Sequence, residues 1–187
     1  MAHVLDQLES PRFIVVDTMD LWINTAIDEL RDVISRVDML MLNDDEARLL
    51  TGVYHLRDCA ARLLEMGPRY IVIKKGEHGA MLVSAEGLFL VPAYPVDAVV
   101  DPTGAGDAFA GAFMGSMARR GESTLPGGVL GEPALPGEAT VRNALLDGAV
   151  TASFGVEGFS LDRLGSVSLD DLVKRRAELE RMLMVSW

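Results

Sequence analysis

Asp101-Pro102-Thr103-Gly104-Ala105-Gly106-Asp107 joins the parts of an anion site to a carboxylate set beside it. An apolar run, Ala98-Val99-Val100, leads in, and Ala108-Phe109-Ala110-Gly111-Ala112-Phe113 leads out, which reads as strand end, glycine turn and helix start. Glycines at 104 and 106 allow a tight bend and close approach to a ligand. The first turn of the helix then presents unpaired N–H groups and the positive end of its dipole. A carboxylate at Asp107 would repel a phosphate bound there, so its presence needs a reason. One reason is chemical: it takes a proton from a hydroxyl that attacks phosphorus, while the N–H groups hold the oxygens on which charge develops. The other is structural, because an acid stabilises any helix N-terminus.

Further candidates lie at the ends of apolar runs. Asn43 and Glu46 come after Met39-Leu40-Met41-Leu42, Asp17 after Phe13-Ile14-Val15-Val16, and Lys74 after Tyr70-Ile71-Val72-Ile73. In an open α/β sheet, ligands bind at the C-terminal ends of strands. Asn43 is equally suited to cap a helix through Glu46, with Asp44 and Asp45 completing an acidic first turn. Asp17 reads equally as a turn or cap residue. Gly76 and Gly79 put two glycines in the loop after Lys74. His78 has no second histidine or cysteine at metal-ligand spacing and reads as a loop residue.

Two of these blocks resemble one known family. Residues 101–109, Asp-Pro-Thr-Gly-Ala-Gly-Asp-Ala-Phe, look like the C-terminal signature of the PfkB (ribokinase-like) family of carbohydrate and nucleoside kinases, and 42–52 resemble its Asn-x-x-Glu segment with trailing Leu-Thr-Gly. The resemblance implies ATP-dependent phosphorylation of a sugar or nucleoside hydroxyl. It makes Asp107 the base and the N–H groups of Gly104, Ala105 and Gly106 the anion hole. Asn43 and Glu46 would help hold Mg²⁺, mainly through water, and Lys74, Gly76 and Gly79 would approach the nucleotide phosphates. Ser153-Phe154-Gly155-Val156-Glu157-Gly158 resembles the segment lining the adenine pocket, and counting back places Asp147 and Gly148 near the base. Asp101 and Thr103 match positions supporting a monovalent cation such as K⁺. Family members carry an N-terminal lid part that grips the acceptor, and the resemblance covers only the region C-terminal to that lid. The expectation is therefore the C-terminal part of such a kinase. The alternatives are a catalytically incomplete nucleotide-binding fragment and a degenerate structural domain.

The elements that carry these residues can be read from periodicity. Ile27, Leu30, Val33, Ile34 and Val37 recur at helical spacing after an expected capping box of Thr25 and Asp28. Leu56, Ala60, Leu63 and Leu64 form a second stripe that stops at Gly67-Pro68. Strand, helix and strand in alternation predict parallel βαβ units. Ala80-Met81-Leu82-Val83 and Leu88-Phe89-Leu90-Val91 around Ser84-Ala85-Glu86-Gly87 predict an antiparallel hairpin. Leu169, Leu172, Val173, Arg176, Leu179 and Leu183 predict a closing amphipathic helix. The fold class expected is α/β and ribokinase-like: a mostly parallel, doubly wound sheet flanked by helices, in one domain over residues 1–187. A loop insertion is expected over 121–140, where prolines and glycines cluster without periodicity.

Composition narrows the partners. With 28 acids against 17 lysines and arginines the net charge is −11, which argues against nucleic acid or an anionic membrane as partner. No apolar run of membrane-spanning length occurs in the sequence. The single cysteine, Cys59, excludes an intrachain disulfide framework, reads as a buried structural thiol, and fits a reducing cytoplasm. Small-molecule acceptors remain, with a homodimer open to the full-length protein.

Overall fold

The computed structural model describes residues 2–123 and 136–183. They form two compact units, one of residues 2–76 and 80–90, the other of 77–79, 91–123 and 136–183.

The first unit is built on a five-stranded sheet. In chain order it contains α1 (Ala2–Leu5), β1 (Val15–Asp17), α2 (Asp20–Thr25), α3 (Ile27–Ile34), β2 (Met39–Asn43), α4 (Asp44–Thr51), α5 (Leu56–Leu64), β3 (Tyr70–Lys74), β4 (Ala80–Ser84) and β5 (Gly87–Val91). The strands lie in the order β1-β2-β3-β4-β5. β1, β2 and β3 are parallel, with Val16 opposite Leu40 and Leu40 opposite Ile71, as helical crossovers require. β4 runs antiparallel to β3, pairing Ala80 with Lys74, because the short glycine loop between them can only reverse the chain. The sheet is therefore mixed, with its antiparallel pairing between β3 and β4, and β5 lies next to β4 as the hairpin pattern expects.

Alternation sorts the strand residues. Leu40, Leu42, Ile71, Ile73 and Met81 join Leu30 and Ile34 of α3, Ala47 and Leu50 of α4, and Cys59, Ala60 and Leu63 of α5 in one core. Met39, Met41, Val72 and Leu82 point the other way and are also buried, which explains runs without a polar alternate. Truncating a core residue such as Leu63 to alanine would cost about 3 kcal/mol. The Cys59 thiol is fully buried, 3.3 Å from the Val53 carbonyl that it faces as donor, so it is structural as expected.

One local expectation fails. Thr25 does not cap α3: it is the last residue of α2, and its hydroxyl donates to the Leu21 carbonyl at 2.6 Å. Ala26, with φ −146°, separates the helices and provides no side-chain cap. The threonine satisfies a carbonyl within its own helix, a competing use open to any hydroxyl residue at helical spacing.

The second unit contains α6 (Ala105–Ser123), α7 (Glu138–Gly155) and α8 (Leu169–Leu183). Phe109, Phe113 and Met117 of α6 are buried, as are Val141, Ala144, Leu145, Ala149 and Phe154 of α7. A Cβ on Gly148 would stand 2.9 Å from the Phe109 carbonyl oxygen, so glycine there sets how closely the two helices approach. The flanking helices reach into the expected 121–140 insertion, to Ser123 and from Glu138; residues 136 and 137 between them are irregular, and 124–135 lie outside the described residues. α8 departs from its expected apolar stripe: Leu169 and Val173 are exposed, and Leu179 is buried. Arginines attach it instead. Arg175 packs its guanidinium over the Phe154 ring, 3.4 Å from the centroid, and donates to both Glu157 carboxylate oxygens at 2.9 and 3.2 Å. No helix among the described residues is long and apolar enough to cross a membrane.

Candidate active site

In the first unit the three parallel strands end on polar residues: Asp17 on β1, Asn43 on β2 and Lys74 on β3. Asn43 lies opposite Lys74 in the ladder and Asp17 opposite Met41, so all three gather at one edge of the sheet. Asn43 caps α4 through a complete capping box. Its Oδ1 accepts from the Glu46 N–H at 2.8 Å, and Glu46 Oε2 accepts from the Asn43 N–H at 2.9 Å. Gly52, at φ +70°, closes the other end of the helix in the left-handed region.

The capping reading of Asn43 and Glu46 is thus realised, and it does not exhaust Glu46. Glu46 is 5% exposed, and among the described residues only its Oε2 has a partner. Burial pushes its carboxyl above the usual range; the Asn43 N–H and Lys74 oppose that shift, and Asp17 and Asp20 add to it. Its other oxygen, at the sheet edge without a partner among the described residues, is the kind of donor a hard cation accepts. No three His, Cys, Asp or Glu residues converge on a metal position among the described residues. Mg²⁺ held mainly by water and phosphate needs only one or two protein carboxylates, so Glu46 fits that mode of binding.

Lys74 forms an ion pair with Asp17, which lies two strands away. Asp17 Oδ2 takes the ammonium and Oδ1 accepts from the Thr18 N–H at 3.1 Å, so both carboxylate oxygens are engaged. Gly76, at φ +55°, needs glycine for its backbone conformation alone. Gly79, at φ +80°, has a second reason, since a Cβ there would stand 2.0 Å from the Val91 carbonyl oxygen.

In the second unit the 101–107 segment turns as expected, with two differences. No strand precedes it: Val99 and Val100 are exposed, and the N–H groups of Val100 and Asp101 donate to the Val156 carbonyl at 2.8 and 3.3 Å. The Ala105 N–H also donates within the turn, to the Pro102 carbonyl at 3.2 Å, and is not available to a ligand. Among the described residues the N–H groups of Gly104, Gly106 and Asp107 have no acceptor. Gly104 has φ +77° with open space where a Cβ would be, so the chain turns there and leaves room beside it. Asp107 is exposed on the first turn of α6, without a hydrogen bond or ion pair among the described residues. Asp101 is held by the Thr103 N–H at 2.9 Å; that bond, with the Thr103 hydroxyl and the Ser160 N–H, keeps its carboxyl below the usual range.

Asp147, expected near a base, has partners on the neighbouring helices. Its Oδ2 accepts from the Ser116 hydroxyl and from Arg120 at 3.3 Å, and its Oδ1 from Arg176. Burial works against its charged form, but Ser116, Arg176 and Arg120 outweigh it and hold the carboxyl below the usual range. Through these bonds Asp147 joins α6, α7 and α8, and Gly148 lets α6 and α7 pack closely. Sequence reasoning missed Ser116, Arg120 and Asp17 as partners, and read Arg176 only as part of a stripe. The helical spacing of Ser116 and Arg120, both facing α7, was the available signal.

Comparison with known proteins agrees with the sheet and the motifs. The chain is 40% identical over 95 residues to the cytidine kinase of Thermococcus kodakarensis, covering 49% of this chain and 34% of that protein. It is 39% identical over 103 residues to the aminoimidazole riboside kinase of Salmonella typhimurium, covering 53% and 31%. Among solved structures, aminoimidazole riboside kinase from Salmonella enterica, complexed with aminoimidazole riboside and an ATP analog, superposes with a TM-score of 0.69 at 25% identity, over 88% of this chain and 52% of that one. A putative ribokinase II from E. coli, in complex with ATP and Mg²⁺, gives 0.61 at 27%, over 81% and 42%. The chain thus matches about a third of the length of these curated relatives and about half of these solved chains. The pfkB family carbohydrate kinase model matches residues 3–160, and on that match, two blocks of signature residues and a ribokinase-like sheet, the chain belongs to the pfkB family.

Proposed function

We propose that residues 1–187 act as the nucleotide-binding and catalytic part of a kinase that transfers a phosphoryl group from ATP to a hydroxyl of a sugar or nucleoside. The observation that carries this reading is the 104–107 turn, where an exposed, unpaired carboxylate sits beside N–H groups without acceptors. Asp107 accepts the proton of the acceptor hydroxyl at its carboxylate. Gly104 and Gly106 donate their N–H groups to phosphoryl oxygens, joined by Asp107's own N–H in place of that of Ala105. Asn43 and Glu46 hold Mg²⁺ through water, while Lys74, Gly76 and Gly79 line the phosphate approach. MgATP, when bound, supplies the transferable phosphoryl group and the divalent charge that offsets it. Asp101 and Thr103 support a monovalent cation such as K⁺. The named activities of the relatives, on cytidine and on aminoimidazole riboside, support a nucleoside or sugar as acceptor. The setting is cytoplasmic, and a homodimer is the expected assembly of the full-length protein.

Asp107→Asn tests the base. In the intact enzyme turnover should fall about 10²- to 10⁴-fold while MgATP affinity stays unchanged. Equal rates for variant and wild type would remove Asp107 from the mechanism. For these residues alone the alternative is nucleotide binding without transfer, marked by slow ATP hydrolysis and no acceptor phosphorylation; the chain's partial coverage of its relatives supports that reading.

A further inference from the structure

We infer that Asp17 is a positioning residue that holds the Lys74 ammonium at the sheet edge for a nucleoside triphosphate; this rests on the nucleotide reading above. Asp17 and Lys74 are 57 positions apart in sequence and sit on strands separated by β2, so nothing local brings them together. Each is fixed from behind. Asp17 Oδ1 is tied to the Thr18 N–H, leaving Oδ2 for the lysine, and the Lys74 side chain is only 18% exposed. A lysine otherwise carries rotamer freedom that a phosphate contact would have to overcome on binding. Holding it in advance removes part of that cost.

Charge separates this role from a simple electrostatic one. Asp17 pairs with the ammonium directly, and Glu46, which feels Lys74, Asp17 and Asp20, adds further negative charge at this edge. Through space alone, losing the Asp17 charge would make the edge less repulsive to a triphosphate and tighten binding. A positioning role predicts the reverse: Asp17→Asn frees Lys74 and weakens binding.

MgATP binding by titration calorimetry decides between them, with wild type, Asp17→Asn, Asp17→Glu, Lys74→Met and the Asp17→Asn/Lys74→Met pair, each checked for an unchanged melt. Asp17→Asn and Lys74→Met should each weaken MgATP about tenfold, the size of one charge-assisted contact. The double variant should be no weaker than Lys74→Met alone, and Asp17→Glu should recover most of the loss. A second readout needs no variant. The chain has three lysines, Lys74, Lys75 and Lys174, so the Lys74 ammonium signal is assignable in ¹⁵N-lysine spectra and should move on adding MgATP while Lys174 stays still. Tighter or unchanged binding by Asp17→Asn, additive losses in the double variant, or a Lys74 signal indifferent to MgATP would overturn the inference while leaving the nucleotide reading intact. No MgATP binding by the wild type would overturn both.

Discussion

Glu46 and Asp147 are both carboxylates on helices, the first buried and the second half-buried, and their surroundings treat them in opposite ways. Asp147 receives a hydroxyl and two guanidiniums, and its carboxyl is held below the usual range. Glu46 receives one N–H, has two further acids nearby and a lysine that is already paired, and its carboxyl is pushed above the usual range. A carboxylate whose neighbours meet its needs is part of the scaffold. One whose charged form burial disfavours, and which keeps an oxygen without a partner among the described residues, is open to a cation from outside.

The largest effect that would sharpen this contrast is on stability. Asp147→Asn leaves Arg120 and Arg176 facing a neutral amide and should cost about 2 kcal/mol, between an exposed and a buried pair because these side chains are only partly buried. By chemical denaturation this would be seen as a lower midpoint, with MgATP affinity barely changed in the folded protein. The pH dependence is set by the same carboxyl. Because its folded-state pKa is lowered, its contribution is present above the unfolded value and lost as the pH falls through the folded one, so the variant should show a flatter acid limb. A neutral effect of Asp147→Asn would make Asp147 a candidate ligand contact again.

Glu46→Gln should behave in reverse. Glutamine keeps the capping box, and removing an under-satisfied charge should leave stability within about 1 kcal/mol of wild type or raise it. Binding of MgATP should weaken at least about tenfold, whereas binding of ATP in the presence of a chelator should change little. A large loss of stability with unaltered MgATP binding would make Glu46 a cap and nothing more.

The sequence was informative where the physics is local. The Asn43-to-Glu46 spacing announces a capping box, the glycines of 104 and 106 announce a turn into a helix, and unbroken runs such as Met39 to Leu42 announce strands buried on both faces. It was silent where distant chain segments meet. The Asp17–Lys74 pair and the Asp147 network join residues 27 to 57 positions apart, and no periodicity marks which arginine will find which acid. Two local readings also failed for a shared reason. Thr25 and the Ala105 N–H each had a second partner within reach, the Leu21 and Pro102 carbonyls, and took it.

Thermal unfolding of the chain with and without MgATP tests most directly whether these residues form a nucleotide site. At 100 times its dissociation constant a ligand adds about 2.7 kcal/mol of stability, and a working site should raise the melting temperature only when both ATP and Mg²⁺ are present. A cooperative melt at the same temperature with and without millimolar MgATP would contradict it.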